Sequence, residues 1–338
     1  MIHDIIFIRF IFIILYYILY TIGNFTYLIE IDMSLNSLQG TLPHSIYQLS
    51  NLQELNLDSN ELNGTVSSSI GQLTNLQYLI LRFNQFDGTL PSTIGNLFNL
   101  TYLALSKNEF YGSIPESLRK VTALTYLSID SNRFDGTIPH WIGDLYRLSY
   151  IDLDSNLFTT GTIPSSISEL SLLSILSISN DRLIGTLPST MSKLSSLTLL
   201  SLGINQLHGS IPMWINQLIY LKDLYLNSNQ FTGTIPSTLS QLTEIEQYDF
   251  SYNLLVGSLL SDNLLVGSFS GLNSIQVENN YLTGTLPIVF SQLPALSRLF
   301  VQDNYLGGNL DKVFNGSFQR NLNNVQLSNN QFTGELPK

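Results

Sequence analysis

The sequence predicts an α/β solenoid: a right-handed superhelix of about 13 repeats of 24 residues, with a concave parallel β-sheet and short 3₁₀ or helical turns on the convex side. Three observations predict it. An asparagine recurs at Asn36, Asn60, Asn84, Asn108, Asn132 and Asn156, then at Asn205, Asn229 and Asn253, and again at Asn280, Asn304 and Asn330; Asp181 stands where one repeat lacks it. A Leu-x-Leu pair precedes the asparagine, as in Leu55 and Leu57 or Leu224 and Leu226, with the period-two alternation of a strand that buries one face. A glycine follows it at 40, 64, 88, 112 and 136 and then at 161, 185, 209 and 233, where a turn calls for positive φ.

Each remaining part of the repeat has a physical reason. The asparagine amide satisfies backbone groups where the chain turns inward, and its recurrence makes a ladder of buried polar pairs. After the glycine the chain runs through Thr or Ser, Ile or Leu, and Pro, and a proline cannot donate to a sheet ladder, so this stretch reads as an edge or extended segment. The closing Ile-x-x-Leu, as Ile70 and Leu73 or Ile94 and Leu97, buries a short helical or 3₁₀ turn. No repeat buries its apolar side alone, so stability comes from stacking neighbours in one elongated body over residues 24–338.

Two stretches depart from the period. One extra residue, Thr159 or Thr160, predicts a bulge ahead of Gly161; the repeat over 244–270 is lengthened, with NLLVGS at Asn253 to Ser258 and again at Asn263 to Ser268. The second reads as a small duplication forming a loop, or as a recognition loop on a rigid scaffold. The array stops at Pro337 and Lys338 partway through a repeat, which predicts a piece of a longer chain. At the other end residues 1–23 read as a signal peptide or signal anchor, because the apolar run from Phe10 to Ile22 suits a secretory h-region and is short for a membrane span.

Composition narrows function. The formal charge of -11 disfavours nucleic acid and anionic membrane faces as partners. With no cysteine there are no disulfides, thiolate metal sites or catalytic thiols. His3, His44, His140 and His208 are scattered without metal-ligand spacing, and no phosphate-cradling glycine loop occurs, so neither a metal nor another cofactor is expected. Carboxylates on a shallow open sheet cannot exclude water, so the chain reads as a non-enzyme.

The exposed strand positions of successive repeats form columns about 4.8 Å apart. The first column runs Glu30, Glu54, Tyr78, Tyr102, Tyr126, Tyr150, Ile175, Leu199, Asp223, and the neighbouring columns bring Arg82, Asp130, Asp152 and Asp154 alongside. These residues define a candidate ligand groove: Tyr78, Tyr102, Tyr126 and Tyr150 as an aromatic platform, a residue type enriched at interface hot spots, and the three aspartates as acceptors. The same tyrosines also suit a pleated, half-buried strand for purely structural reasons. Asn24, Asn63, Asn99 and Asn315 open glycosylation sequons.

The pattern LTYLSIDSNRFDGTIP, from Leu124 to Pro139, resembles the plant-type leucine-rich repeats of receptor-like kinases, receptor-like proteins and polygalacturonase-inhibiting proteins. The resemblance covers nearly everything after Asn24. It implies a ligand-binding concave sheet, an extra lateral layer built from the Gly-Thr-Ile-Pro segments, and a secreted or cell-surface protein, with a membrane tether possible through the N-terminal apolar segment. Members usually carry cysteine-paired caps, which this chain lacks. The function expected is recognition of a protein, peptide or polysaccharide. Inhibition of a secreted cell-wall hydrolase and a structural or adhesive role stand as alternatives.

Overall fold

The computed structural model describes residues 22–159, 161–259, 269–310, 313, 314, 316–334. The predicted leader, the second NLLVGS copy, Thr160 and Asn315 lie outside these residues. Thirteen short parallel strands, one per repeat, alternate with 3₁₀ turns, and no described helix is long and apolar enough to cross a membrane. The chain divides into two compact units after Thr160.

In the first unit the strands Glu30–Asp32, Glu54–Asn56, Tyr78–Ile80, Tyr102–Ala104, Tyr126–Ser128 and Tyr150–Asp152 pair in parallel and in strict register. The central residue of each points inward: Leu55, Leu79, Leu103, Leu127 and Ile151 are fully buried. Between strands, five-residue 3₁₀ turns such as Ser68–Gln72 and Ser92–Asn96 bury Ile70 and Ile94, as the Ile-x-x-Leu spacing predicts. The prolines sit at the entry of these turns with extended backbone, where their missing N–H costs nothing. Where the second repeat has no proline, the Ser67 hydroxyl takes over, accepting the Ser69 N–H at 3.2 Å. Phe86, Phe110 and Phe134 stack through the core with centroids 6.3 and 6.1 Å apart.

The lateral layer differs from its prediction. It starts ahead of the glycine turn, as in Gln39–Gly40 and Gln85–Asp87, includes Gly64 and Thr65 in Glu61–Thr65, and ends before the Ile-Pro step. The reason is that Ile114 and Ile138 point inward and are buried, and the proline that follows offers no donor. Gly64 and Gly88 adopt φ of 72° and 78°, and a Cβ on either would meet the threonine methyl of the preceding repeat at 2.7 Å.

The second unit repeats the plan with Ile175–Ser177, Leu199–Ser201, Asp223–Tyr225, Gln247–Asp249, Ser274–Gln276, Arg298–Phe300 and Asn324–Gln326. The lengthened repeat leaves the sheet undisturbed: Gln247 pairs with Ser274 in the usual register, so the additional residues are absorbed outside the strands.

The asparagine ladder holds both units. In the first, Asn132 Nδ2 donates to the carbonyls of Leu105, Ile129 and Asp130 at 3.0 to 3.1 Å, while its Oδ1 accepts the Phe110 N–H at 3.0 Å. In the second, Asn229 makes the same set with Leu202, Leu226, Asn227 and Leu207. One part of this turn escapes sequence reading. The residue before each ladder position has positive φ, including the bulky Leu35, Phe83, Ile204 and Tyr252 at 51 to 55°, a region that L side chains enter at a cost.

Candidate ligand-binding face

The first unit places the predicted tyrosines in one row. Register pairs Tyr78 with Tyr102, Tyr102 with Tyr126, and Tyr126 with Tyr150. Adjacent strands hold the rings closer than loose neighbours: Tyr102 and Tyr126 stack at 4.0 Å and 7°, and Tyr126 and Tyr150 at 4.2 Å and 14°. Tyr78 leans away, 6.1 Å from Tyr102 and tilted by 37°, and is the most exposed of the four.

This stacking corrects the idea of an open platform. The faces of Tyr102, Tyr126 and Tyr150 cover one another, so what the row turns outward is ring edges and hydroxyls. At the end of the row the Tyr150 O–H donates to Asp152 Oδ2 at 3.3 Å. Burial first, then neighbouring groups, pushes Tyr102 and Tyr150 up to about 12, so both stay protonated donors.

The aspartates gather at the Tyr150 end. Asp130 accepts the Ser128 hydroxyl at 2.9 Å and the Ser131 hydroxyl at 3.2 Å, and Asp152 accepts the Asp154 N–H at 3.1 Å. Burial, followed by the charges of Asp154 and Asp130, raises Asp152 to about 7. Arg82 belongs elsewhere. Its guanidinium pairs with Asp58 at 3.1 Å, one repeat back in the same column, and is half-buried in that pairing. The predicted ligand contact Arg82 is therefore engaged in an ion pair within the chain. In the three exposed columns of the first unit, Glu30, Glu54, Asp32, Asp58, Asp130, Asp152 and Asp154 stand against that single cation, so the face is strongly negative. Among the described residues no cluster of three or more His, Asp or Glu is arranged to hold a metal.

The sequons divide by their amides. Asn63 is exposed on the lateral strand Glu61–Thr65, away from the tyrosine columns, and Asn24 is exposed at the end of the 3₁₀ turn Ile22–Asn24. Asn99 is also exposed, but its Nδ2 already donates to the Thr74 carbonyl at 3.0 Å.

In the second unit the outward columns continue from Asp223 with Tyr225, Asp249, Glu278, Arg298 and Phe300, and these last five sequence reading left out. The signal was present: the aromatic position moves two residues along the strand, from the Tyr150 column to the Tyr225 column.

Leucine-rich repeat family models match residues 51–73, 74–134, 122–183 and 220–242. Among solved structures, a TDR receptor shares 32% identity over 94% of this chain and 58% of its own, with a TM-score of 0.80. The ectodomain of the Arabidopsis receptor kinase HAESA, bound to an extended IDA peptide hormone, shares 33% identity over 91% of this chain and 51% of its own, at 0.84. A Leptospira interrogans leucine-rich repeat protein shares 29% identity over 92% and 87%, at 0.68. No curated protein matches the sequence significantly. The chain is thus a leucine-rich repeat protein of the plant type, similar to receptor-kinase ectodomains. It spans little more than half the length of the two receptors.

Proposed function

We propose that the chain is a non-enzymatic recognition module, acting outside the cell or at its surface, that binds an extended basic peptide or protein segment along the first unit. The observation that carries this is the tyrosine row ending in three aspartates. Sugar rings are recognised by stacking on open aromatic faces, and those faces are occupied here by neighbouring tyrosines at 4.0 and 4.2 Å. What remains outward is hydrogen-bonding phenols and negative charge, which suit backbone amides and Lys or Arg side chains. The similar HAESA ectodomain has a peptide hormone as its ligand, which supports a peptide over a polysaccharide. That similar chains are receptor ectodomains supports an extracellular or cell-surface setting.

The test is binding of the full chain, made through a secretory route, to matched arrays of basic peptides, acidic peptides and cell-wall oligosaccharides. A basic peptide should bind, and a Tyr102→Ala/Tyr126→Ala double variant that still folds should lose about tenfold or more in affinity. Equal binding by the folded variant, or oligosaccharide binding without peptide binding, would overturn the reading.

A further inference from the structure

On the outward face of the second unit two polar oxygens lie buried without a donor: Oε2 of Glu278 and Oε1 of Gln302. Glu278 is only 8% exposed. The two residues hold equivalent positions in successive repeats, beyond the paired strands Ser274–Gln276 and Arg298–Phe300, and the Asn279 N–H donates to the Gln302 carbonyl at 3.1 Å. Both of these oxygens are acceptors, so neither satisfies the other while Glu278 is ionised. Asp249 and Asp303 add negative charge around Glu278, and burial together with those charges raises its carboxyl to about 7. Everything missing from this corner is positive and donating. Arg298, on the same face, is exposed and enters none of the ion pairs among the described residues.

We propose that this corner is a binding site for a guanidinium group, presented by an arginine side chain of a partner, held between the Glu278 carboxylate and the Gln302 side-chain carbonyl. A guanidinium carries several N–H donors in one plane and so can address two oxygens on neighbouring strands at once, which an ammonium point charge does less well. Phe300, half-buried two residues before Gln302 on the same strand face, offers a ring on which the planar cation can lie. Glu278 stands in the outward column whose equivalents Arg82, Asp130 and Asp154 are half exposed, so binding calls for a Glu278 rotamer that turns its carboxylate outward. This site is separate from the tyrosine row and does not depend on it.

The experiment titrates N-acetyl-arginine amide, its neutral isostere N-acetyl-citrulline amide and N-acetyl-lysine amide into the full chain by calorimetry, with Asp152→Asn as a first-unit control. Saturable binding of the arginine probe at least about tenfold tighter than either other probe, retained in Asp152→Asn, is expected. Glu278→Gln, which supplies a neutral amide of the same shape, should erase the preference, and Gln302→Met should reduce it. Equal binding of the three probes, no binding of the arginine probe, or a preference that survives Glu278→Gln would each overturn the proposal. So would loss of the preference in Asp152→Asn, because the arginine would then sit on the first unit.

Discussion

The two units share one backbone recipe and carry opposite surfaces. In the first, the exposed columns hold an aromatic row whose Tyr150 hydroxyl donates to Asp152, and whose one cation is tied to Asp58. In the second, tyrosine appears inside the core as Tyr248, a fully buried residue stacked on Phe250 with a bare hydroxyl, and the outward face leaves Glu278 and Gln302 without donors. A repeat scaffold fixes where side chains stand and leaves open whether they satisfy one another. The first unit leaves Asp58 Oδ1 and Arg82 Nε bare beside their own ion pair, and the second leaves two acceptors, Glu278 Oε2 and Gln302 Oε1, with no cation paired to them.

The largest effect that would break this comparison is on what the units share. Replacing Asn132 by Leu strands the carbonyls of Leu105, Ile129 and Asp130 and the Phe110 N–H, so a loss of about 3 kcal/mol or more is expected in denaturant unfolding. An unchanged midpoint would mean that the ladder is ornamental. Next comes the tyrosine contrast. Tyr248→Phe removes a buried bare hydroxyl and should stabilise the protein by about 1 to 2 kcal/mol, whereas Tyr150→Phe removes a hydroxyl that donates to Asp152 and should cost about 1 kcal/mol. If both changes move stability the same way, the contrast between a bare and a partnered tyrosine hydroxyl fails. Ile204→Asn replaces a β-branched residue at φ 55° with one that tolerates that conformation, for a gain of about 1 kcal/mol in the melting curve.

The subtlest difference lies in pH. Asp152 in one unit and Glu278 in the other are raised to about 7 in the folded chain, against ordinary carboxyl values near 4 when unfolded. The folded state therefore holds these protons more tightly. Their contribution to stability is complete below about pH 4 and is lost as pH rises through 7. Melting temperature should fall between pH 5 and 8, and Asp152→Asn and Glu278→Gln should each flatten part of that slope. A basic peptide on the first unit should bind more tightly at pH 8 than at pH 6, since only ionised Asp152 attracts it.

The repeat, its glycine turns and the tyrosine row were legible because a 24-residue spacing lets one repeat annotate the next. The strained residue before each ladder position was not. Leu35, Phe83, Ile204 and Tyr252 prefer other backbone regions, and it is the neighbouring repeats that impose this one, through bonds such as Leu35 N–H to Asp58 and Ile204 N–H to Asn227. The Arg82 ion pair was also within reach, since Asp58 stands one step back in the same column. The raised carboxyls were beyond reach because they depend on how deeply neighbours cover each oxygen, which spacing does not encode.

The spacing of the strands is also a ruler for whatever lies along the tyrosine row. Its marks fall about every 4.8 Å, while an extended or polyproline chain advances about 3.1 to 3.4 Å per residue. The two scales fall into step once every two marks, near 9.6 Å, which is three residues of polyproline at about 9.3 Å. A ligand crossing the row can therefore present the same kind of side chain to alternate tyrosines only if its own sequence has a rhythm of three, and an alanine scan of a bound peptide should show its deepest losses at every third position.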